Sequence, residues 1–273
     1  MPSTKHTVVF VTGAWHLPHL YGPLLEPLEA AGYTVLAPRL PSVGGIYDDF
    51  RSDVEAVRMA VQSAFELGSD VVLVMHSSGG VIGSEAVQGL GKQDRSAGTP
   101  GVTRMVYLCA FALPEQVSLW DALGGNPLPW WEAIGQNREQ WKVKDAHSIF
   151  YNDVDPKLAE TMTEQLMYQS HGHFTSKLTY AAWKHIPSGY IICTKDMAIP
   201  LHVQERMSTQ PGSSFEIERL EASHTPFYSV PEETVRVVRK ALAMGEATDR
   251  SAADSVRSQT GGSRLLEAAS HAG

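Results

Sequence analysis

The sequence predicts an α/β fold, with a mainly parallel sheet, helices on both faces and a helical insertion between two strands. Three observations predict it. Short apolar runs alternate with helix-compatible stretches along most of the chain, which is typical of parallel sheets. One apolar run, residues 71–75, ends abruptly in His-Ser-Ser-Gly-Gly. An aromatic-rich stretch over residues 113–187 interrupts the alternation.

The strands and helices follow from the period of the apolar residues. The predicted strands are residues 7–12, 33–37, 71–75, 102–110, 189–194 and 214–220. The predicted helices are residues 18–31, 48–67, 81–87, 201–209 and 230–244. The clearest helical pattern is that of residues 48–67, where apolar side chains recur on one face.

The aromatic-rich stretch divides the predicted domain. Residues 1–112 and 188–244 form the α/β core, and residues 113–187 form a helical lid. The lid contains five of the six tryptophans. We expect these side chains both to form a small core within the lid and to line an apolar pocket. Residues 245–273 are polar and small, and we expect them to be a disordered tail.

Composition excludes several classes of function. The formal net charge of the 273 residues is −8, which argues against nucleic-acid binding. No apolar stretch reaches the roughly 18 residues of a membrane span, and the N-terminus has no signal-peptide pattern. The two cysteines, Cys109 and Cys193, do not make a disulfide framework. We expect a cytoplasmic enzyme that binds neither nucleic acid nor a membrane. Whether the chain forms a homodimer stays open.

The His-Ser-Ser-Gly-Gly segment predicts a reactive serine. A buried strand, a tight turn and a helix in direct succession hold a nucleophile on a strained elbow. We assign the nucleophile to Ser77, although aligning the same motif on Ser78 is the alternative. Met75 occupies a position that is usually small. An ordinary strand–turn–helix with polar turn residues would also fit the segment.

A serine nucleophile needs a base and a carboxylate that orients the base. The order serine, acid, histidine is met at three strand ends by Ser77, Asp196 and His224. Asp121 and Glu221 are alternative acids.

The oxyanion hole needs two backbone N–H donors. Ser78 follows the nucleophile and supplies one, and we expect Ala14, in the loop after the first strand, to supply the other. Gly13 permits close approach there. The expected substrate contacts are Gly13, Trp15, His16, Trp120, Trp131, Phe174 and Trp183.

These motifs carry a family resemblance. The segments at residues 11–16, 76–80, 195–200 and 223–227 together resemble the α/β-hydrolase superfamily, and within it the plant methylesterases, the hydroxynitrile lyases and their fungal homologues. The resemblance covers residues 5 to 244 and implies the α/β-hydrolase fold, no cofactor and an oxyanion hole from the Ala14 and Ser78 amides. Gly13 and Thr225 stand where hydroxynitrile lyases need Thr and Lys, which argues against cyanohydrin cleavage.

The expected activity is hydrolysis of a carboxylic ester, lactone or thioester with an apolar body, through an acyl-enzyme on Ser77. Three alternatives stay open: intramolecular acyl transfer that forms a lactone in secondary metabolism, a ligand-binding protein with little turnover, and a lyase. The pair His171 and His173 has no evident third ligand, so a polar turn is favoured over a metal site.

Overall fold

A computed structural model describes residues 6–246. Its strands, in chain order, are β1 (Thr7–Val11), β2 (Thr34–Leu36), β3 (Val71–His76), β4 (Val102–Leu108), β5 (Trp131–Ile134), β6 (Gln140–Val143), β7 (Gln169–Ser170), β8 (Ser188–Cys193) and β9 (Glu216–Leu220). Its helices are α1 (Gly22–Ala30), α2 (Arg51–Glu66), α3 (Gly79–Ala86), α4 (Leu119–Ala122), α5 (Ala146–Phe150), α6 (Pro156–Glu164), α7 (His171–Thr175), α8 (Leu201–Ser208), α9 (Pro226–Ser229) and α10 (231–246).

Six of the strands form one parallel sheet in the order β2-β1-β3-β4-β8-β9, which confirms the predicted fold class. The side chains of β1, β3 and β4 are buried along their whole length, as expected for strands covered on both faces. Alternate residues enter two separate apolar clusters, so that Val9 faces the side covered by α2 and α3, and Val8 faces α1 and α10.

The insertion between β4 and β8 differs from the prediction in one respect. Besides the short helices α4 to α7 it contains a three-stranded antiparallel sheet, β5-β6-β7, so that "helical" describes it incompletely. These strands have four, four and two residues, which is too short for an alternating pattern to stand out.

The predicted helix over residues 18–31 is split. Pro18–Tyr21 forms a 3₁₀ turn, and α1 follows with Pro23 near its start, where a proline is tolerated because that N–H needs no helical partner. Among residues 6–246, no helix is long and apolar enough to cross a bilayer. The tail prediction for residues 245–273 falls almost wholly outside the described residues.

The sheet positions the predicted site. Parallel strands end at one edge, where ligands bind in open α/β sheets. Ser77 directly follows β3, Asp196 follows β8 by three residues and His224 follows β9 by four.

Candidate active site

The turn between β3 and α3 is a sharp elbow. Ser77 has φ of 54°, a left-handed conformation that is uncommon for a residue with a side chain. Ser78 returns to right-handed geometry, and α3 begins at Gly79. The elbow therefore holds Ser77 above the carboxyl end of the sheet.

Glycines make this elbow possible by letting backbones come close. A Cβ on Gly79 would lie 2.5 Å from the carbonyl oxygen of Thr12, and one on Gly80 would lie 2.4 Å from that of Phe111. A Cβ on Gly13 would lie 2.8 Å from the Cβ of Ser77. Any larger residue at these three positions would displace the loops around the serine.

The unusual Met75 is accommodated by another glycine. Its side chain is fully buried, and a Cβ on Gly83 would lie 2.5 Å from its sulfur. Helix α3 thus leaves space for a long side chain where the motif usually has a small one. The sequence signal for this pairing is Gly83 inside an otherwise helix-compatible stretch.

Asp196 and His224 form a buried pair. The Nδ1 of His224 lies 2.8 Å from Oδ2 of Asp196, and both side chains are almost fully buried. The other carboxylate oxygen, Oδ1, accepts the N–H groups of Ala198 and Ile199, at 2.8 Å each. These bonds fix the carboxylate and favour the tautomer of His224 that carries its hydrogen on Nδ1.

Within the described residues, no hydrogen bond joins Ser77 Oγ to His224 Nε2. The distance between nucleophile and base often closes fully only when substrate is in place. The alternative acids have other partners. Asp121 forms a capping box with Ser118, the N-cap of α4. Glu221 is exposed and pairs with Lys195 at 3.0 Å.

His76 connects the elbow to the loop after β9 that carries His224. Its Nε2 lies 2.7 Å from the backbone carbonyl oxygen of His224, and its Nδ1 lies 2.9 Å from the hydroxyl of Tyr21. The Tyr21 oxygen also accepts the N–H of Gly13, at 2.9 Å. Burial and the neighbouring histidines His224 and His16 hold the pKa of His76 well below its ordinary value, so that its ring is neutral.

His76, Cys109 and His224 place three heteroatoms within 4.8 Å of one another, as metal ligands do. Hydrogen bonding explains this convergence, since Nε2 of His76 and Sγ of Cys109 both donate to the His224 carbonyl. Burial raises the pKa of the Cys109 thiol well above its ordinary value, which opposes the thiolate that a metal requires. The three side chains are therefore better explained as hydrogen-bonding support for the His224 backbone than as a metal site.

The loop after β1 carries the expected oxyanion donor, Ala14. Its N–H donates to Ser78 Oγ at 2.8 Å, and the neighbouring N–H of Trp15 donates to Gln169 Oε1 at 3.1 Å. The Ser78 hydroxyl therefore lies where a substrate oxygen would meet the Ala14 amide. Sequence reasoning did not anticipate this contact.

Ser77 and Ser78 open into a largely apolar cavity. It is lined by Ala14, Trp15, Ser77, Ser78, Phe111, Leu119, Leu123, Leu128, Trp130, Trp131, Phe150, Phe174, Ala198 and Ile199. Of the expected substrate contacts, Trp15, Trp131 and Phe174 line it.

The other expected contacts lie elsewhere. Trp183 donates from Nε1 to the carbonyl of Leu113, and Trp120 packs against Trp131 without lining the cavity. His16 is buried, with Nδ1 2.7 Å from the carbonyl of Ala14. Gly13 lies against Ser77 and does not line the cavity. Sequence reasoning missed Trp130 and Phe150, although both belong to the aromatic set of the insertion.

The two histidines on either side of Gly172, His171 and His173, bond to different partners. His171 accepts a hydrogen bond from Trp141 Nε1 at 2.9 Å. His173 is fully buried and contacts Asp53 and Ser78. The expected polar turn is instead the short helix α7.

Comparisons with known proteins bear on the family and the fold. The sequence model described as "Alpha/beta hydrolase family" matches residues 8–237. The chain is 35% identical over 252 residues to "Alpha/beta hydrolase nvfD" of Aspergillus novofumigatus (strain IBT 16806), which covers 90% of this chain and 99% of that relative.

Solved structures with similar folds include a pyrethroid hydrolase from Sphingobium faniae JZ-2, with a TM-score of 0.70 and 23% identity over 87% of this chain and 97% of that one. Polyneuridine aldehyde esterase has a TM-score of 0.71 and 18% identity over 86% of this chain and 98% of that one.

Proposed function

Since the chain belongs to the alpha/beta hydrolase family, we propose that it is a serine hydrolase that cleaves a carboxylic ester, lactone or thioester with an apolar body. The observation that carries the proposal is the strained Ser77 elbow at the mouth of an aromatic cavity, with the buried Asp196–His224 pair beside it. A hydroxyl becomes a useful nucleophile only with such a base nearby.

In the proposed reaction Ser77 Oγ attacks the carbonyl carbon, and its proton passes to Nε2 of His224. Asp196 stabilises the resulting imidazolium through Nδ1–H. The C–O or C–S bond then breaks as His224 returns the proton to the leaving oxygen or sulfur. Water, deprotonated by the same histidine, then attacks the acyl carbon. The bond from that carbon to Ser77 Oγ breaks as His224 returns the proton to Oγ, which releases the acid and restores Ser77.

The cavity lining supports an apolar substrate. Its lining includes four aromatic side chains from the insertion, Trp130, Trp131, Phe150 and Phe174. A second hollow, lined mostly by apolar residues such as Val117 and Val203, adjoins the first. The two share Phe111, Leu123, Ala198 and Ile199, so a substrate longer than the first cavity has an apolar surface to follow.

The proposal is tested with a fluorophosphonate probe and p-nitrophenyl esters of increasing acyl length. We expect one label per chain, mapped by peptide fragmentation to Ser77, and ester turnover that is lost in Ser77→Ala. Ser84→Ala is the matched control, because Ser84 is a buried serine of α3 that contacts Gly80 and Tyr107 rather than the cavity.

Two results would overturn the proposal. Folded protein that takes no label at Ser77 would show that the elbow presents no working nucleophile, as in a ligand-binding protein. Turnover of the ester that survives Ser77→Ala would point to lyase-type proton chemistry or to another nucleophile.

A further inference from the structure

A second serine, histidine and aspartate lie in line directly beside Ser77. The Oγ of Ser78 is 2.9 Å from Nε2 of His173, and Nδ1 of His173 is 2.9 Å from Oδ2 of Asp53. Their exposed fractions are 3%, 0% and 1%. We call these three residues the Ser78 relay.

The Ser78 relay is built from distant parts of the chain. Ser78 precedes α3 in the core, Asp53 lies in the first turn of α2, and His173 belongs to α7 of the insertion. Its Ser78 end lines the same cavity as Ser77. The array therefore joins the insertion to the reaction site through a side chain that a substrate can reach.

The partners of Asp53 show that it is an acceptor. Its Oδ1 accepts the N–H of Ser42 at 2.9 Å, and its Oδ2 accepts the hydroxyl of Ser42 as well as the ring of His173. Gln169 in turn donates to the Ser42 oxygen at 2.6 Å. An ionised carboxylate meets all these donors, and it holds a hydrogen on Nδ1 of His173.

Two hydrogen arrangements are then available to Ser78. With a neutral His173, the Ser78 hydroxyl donates to Nε2 and presents only a lone pair to the cavity. With a doubly protonated His173, Nε2–H donates to Ser78 Oγ, and the Ala14 N–H, 2.8 Å away, fills the other lone pair. The Ser78 hydrogen must then point elsewhere, and the cavity is open to it.

The second arrangement is compatible with burial because the imidazolium lies beside the Asp53 carboxylate, and buried charges are tolerated when they are paired and hydrogen-bonded. Negative charge on a substrate oxygen next to Ser78 favours it further, since that oxygen attracts the free hydroxyl hydrogen.

A role for Ser78 as nucleophile fits the geometry less well. The oxygen of a carbonyl that Ser78 attacked would itself need N–H donors, yet Ser78 already takes the Ala14 N–H, and Gln169 takes that of Trp15. Ser78 also lacks the raised, strained backbone of Ser77.

We propose that the Ser78 hydroxyl is a side-chain donor of the oxyanion hole, directed at the carbonyl oxygen of a substrate attacked by Ser77, and that His173 and Asp53 are its positioning residues. The inference rests on the proposed function. His173 carries both ring hydrogens throughout the reaction, so no covalent bond changes in this step: the Ser78 hydrogen forms a hydrogen bond as charge develops on the oxygen and leaves it as the carbonyl re-forms.

The main experiment compares Ser78→Ala with wild type and with Ser84→Ala. Removing one oxyanion donor typically lowers kcat by about 10²–10³-fold. We expect such a loss in Ser78→Ala with KM nearly unchanged, together with a parallel loss of affinity for a trifluoromethyl ketone, which forms an oxyanion on Ser77. Ser78→Thr keeps the hydroxyl and should recover most of the rate, and Ser84→Ala should match wild type.

The positioning role has a spectroscopic signature. In the trifluoromethyl ketone complex we expect ¹⁵N NMR to show both ring nitrogens of His173 protonated, and His173→Gln to lower kcat in the same direction as Ser78→Ala. A purely structural His173 would lower the melting temperature and leave the kcat of the folded fraction unchanged, which would overturn its role.

The failures of the two proposals are distinguishable. If wild type is unlabelled at Ser77, the proposed function fails. If wild type is labelled at Ser77 but Ser78→Ala keeps its kcat and its affinity for the ketone, the oxyanion role of Ser78 is overturned. Label that moves to Ser78 in Ser77→Ala would make Ser78 a nucleophile and would overturn it as well.

Discussion

The ring of His76 donates to the backbone carbonyl of His224, 2.7 Å away. This bond joins the end of β3, which carries Ser77, to the loop that carries the proposed base. The backbone that carries the nucleophile is therefore tied to the backbone that carries the base through one neutral imidazole. The other ring nitrogen of His76 extends the connection through Tyr21 to Gly13 in the loop after β1.

Tyr21→Phe should loosen this connection. Burial raises the pKa of the Tyr21 phenol well above its ordinary value, so the hydroxyl keeps its hydrogen and serves both Gly13 and His76. Its loss leaves a buried N–H unpaired, which costs about 1–3 kcal/mol. We expect that decrease in the free energy of unfolding, measured by urea titration, and a lower kcat/KM.

Tyr228→Phe is the matched control for this change. The Tyr228 hydroxyl donates to the carbonyl of Leu20 and has no part in the His76 connection. An equal loss of kcat/KM in both variants would show that Tyr21 acts through general packing alone.

The core of the fold could be read from the sequence because its signals are local. The buried strands β1, β3 and β4 are continuous apolar runs, and the glycines around Ser77 mark close backbone approach. The order of Ser77, Asp196 and His224 along three strand ends is also a local signal repeated three times. Parallel strands bring such ends together.

The Ser78 relay could not be read in this way, because its members lie far apart in sequence and meet only through tertiary packing. One signal was present. Asp53 falls on the same helical face as the buried Val57, Val61 and Ala64, and a carboxylate on an apolar face needs a buried partner. That partner, His173, lies 120 residues further along the chain.

Asp196→Asn should separate orientation of the base from its presence. An amide at this position cannot hold the His224 imidazolium, and it favours the wrong tautomer, which in a comparable triad lowers kcat by about 10⁴-fold. We expect a loss approaching that size, with the fold retained, measured by ester turnover.

Asp155→Asn provides the comparison. Asp155 caps the N-terminus of α6, where asparagine serves equally well, so this variant should keep wild-type kcat. A kcat in Asp196→Asn that stays within tenfold of wild type would contradict the assignment of Asp196 as the orienting acid.

Gly80→Ala should disrupt the elbow. The added Cβ meets the backbone of Phe111 at 2.4 Å, and a backbone cannot rotate aside as a side chain can. Overpacking of this kind typically costs about 1–3 kcal/mol. We expect a lower melting temperature and slower fluorophosphonate labelling of Ser77. Gly22→Ala, in α1, is the control, because its Cβ meets only the flexible end of Glu26 and alanine favours helix.

The protein should lose stability in mild acid because burial keeps His16 and His76 neutral in the folded protein. Burial, and to a smaller extent the nearby His224, lowers the pKa of His16 from 6.5 to about 4 against the opposing bond to the Ala14 carbonyl. The unfolded chain binds a proton at His16 below pH 6.5 that the folded protein resists down to about pH 4. Stability is thus fully present above pH 6.5 and falls through this window, by about 3 kcal/mol for His16.

His16→Gln tests this source of acid sensitivity. Glutamine can still bond to the Ala14 carbonyl and to Tyr151, the two partners of His16, but it does not titrate. The free energy of unfolding, measured in urea between pH 7.5 and 4.5, should therefore fall less steeply in the variant, because His76 alone of this pair of buried rings then resists protonation. The exposed His202→Gln should follow wild type. Parallel curves for wild type and His16→Gln would mean that His16 is protonated in the folded protein as readily as in the unfolded chain.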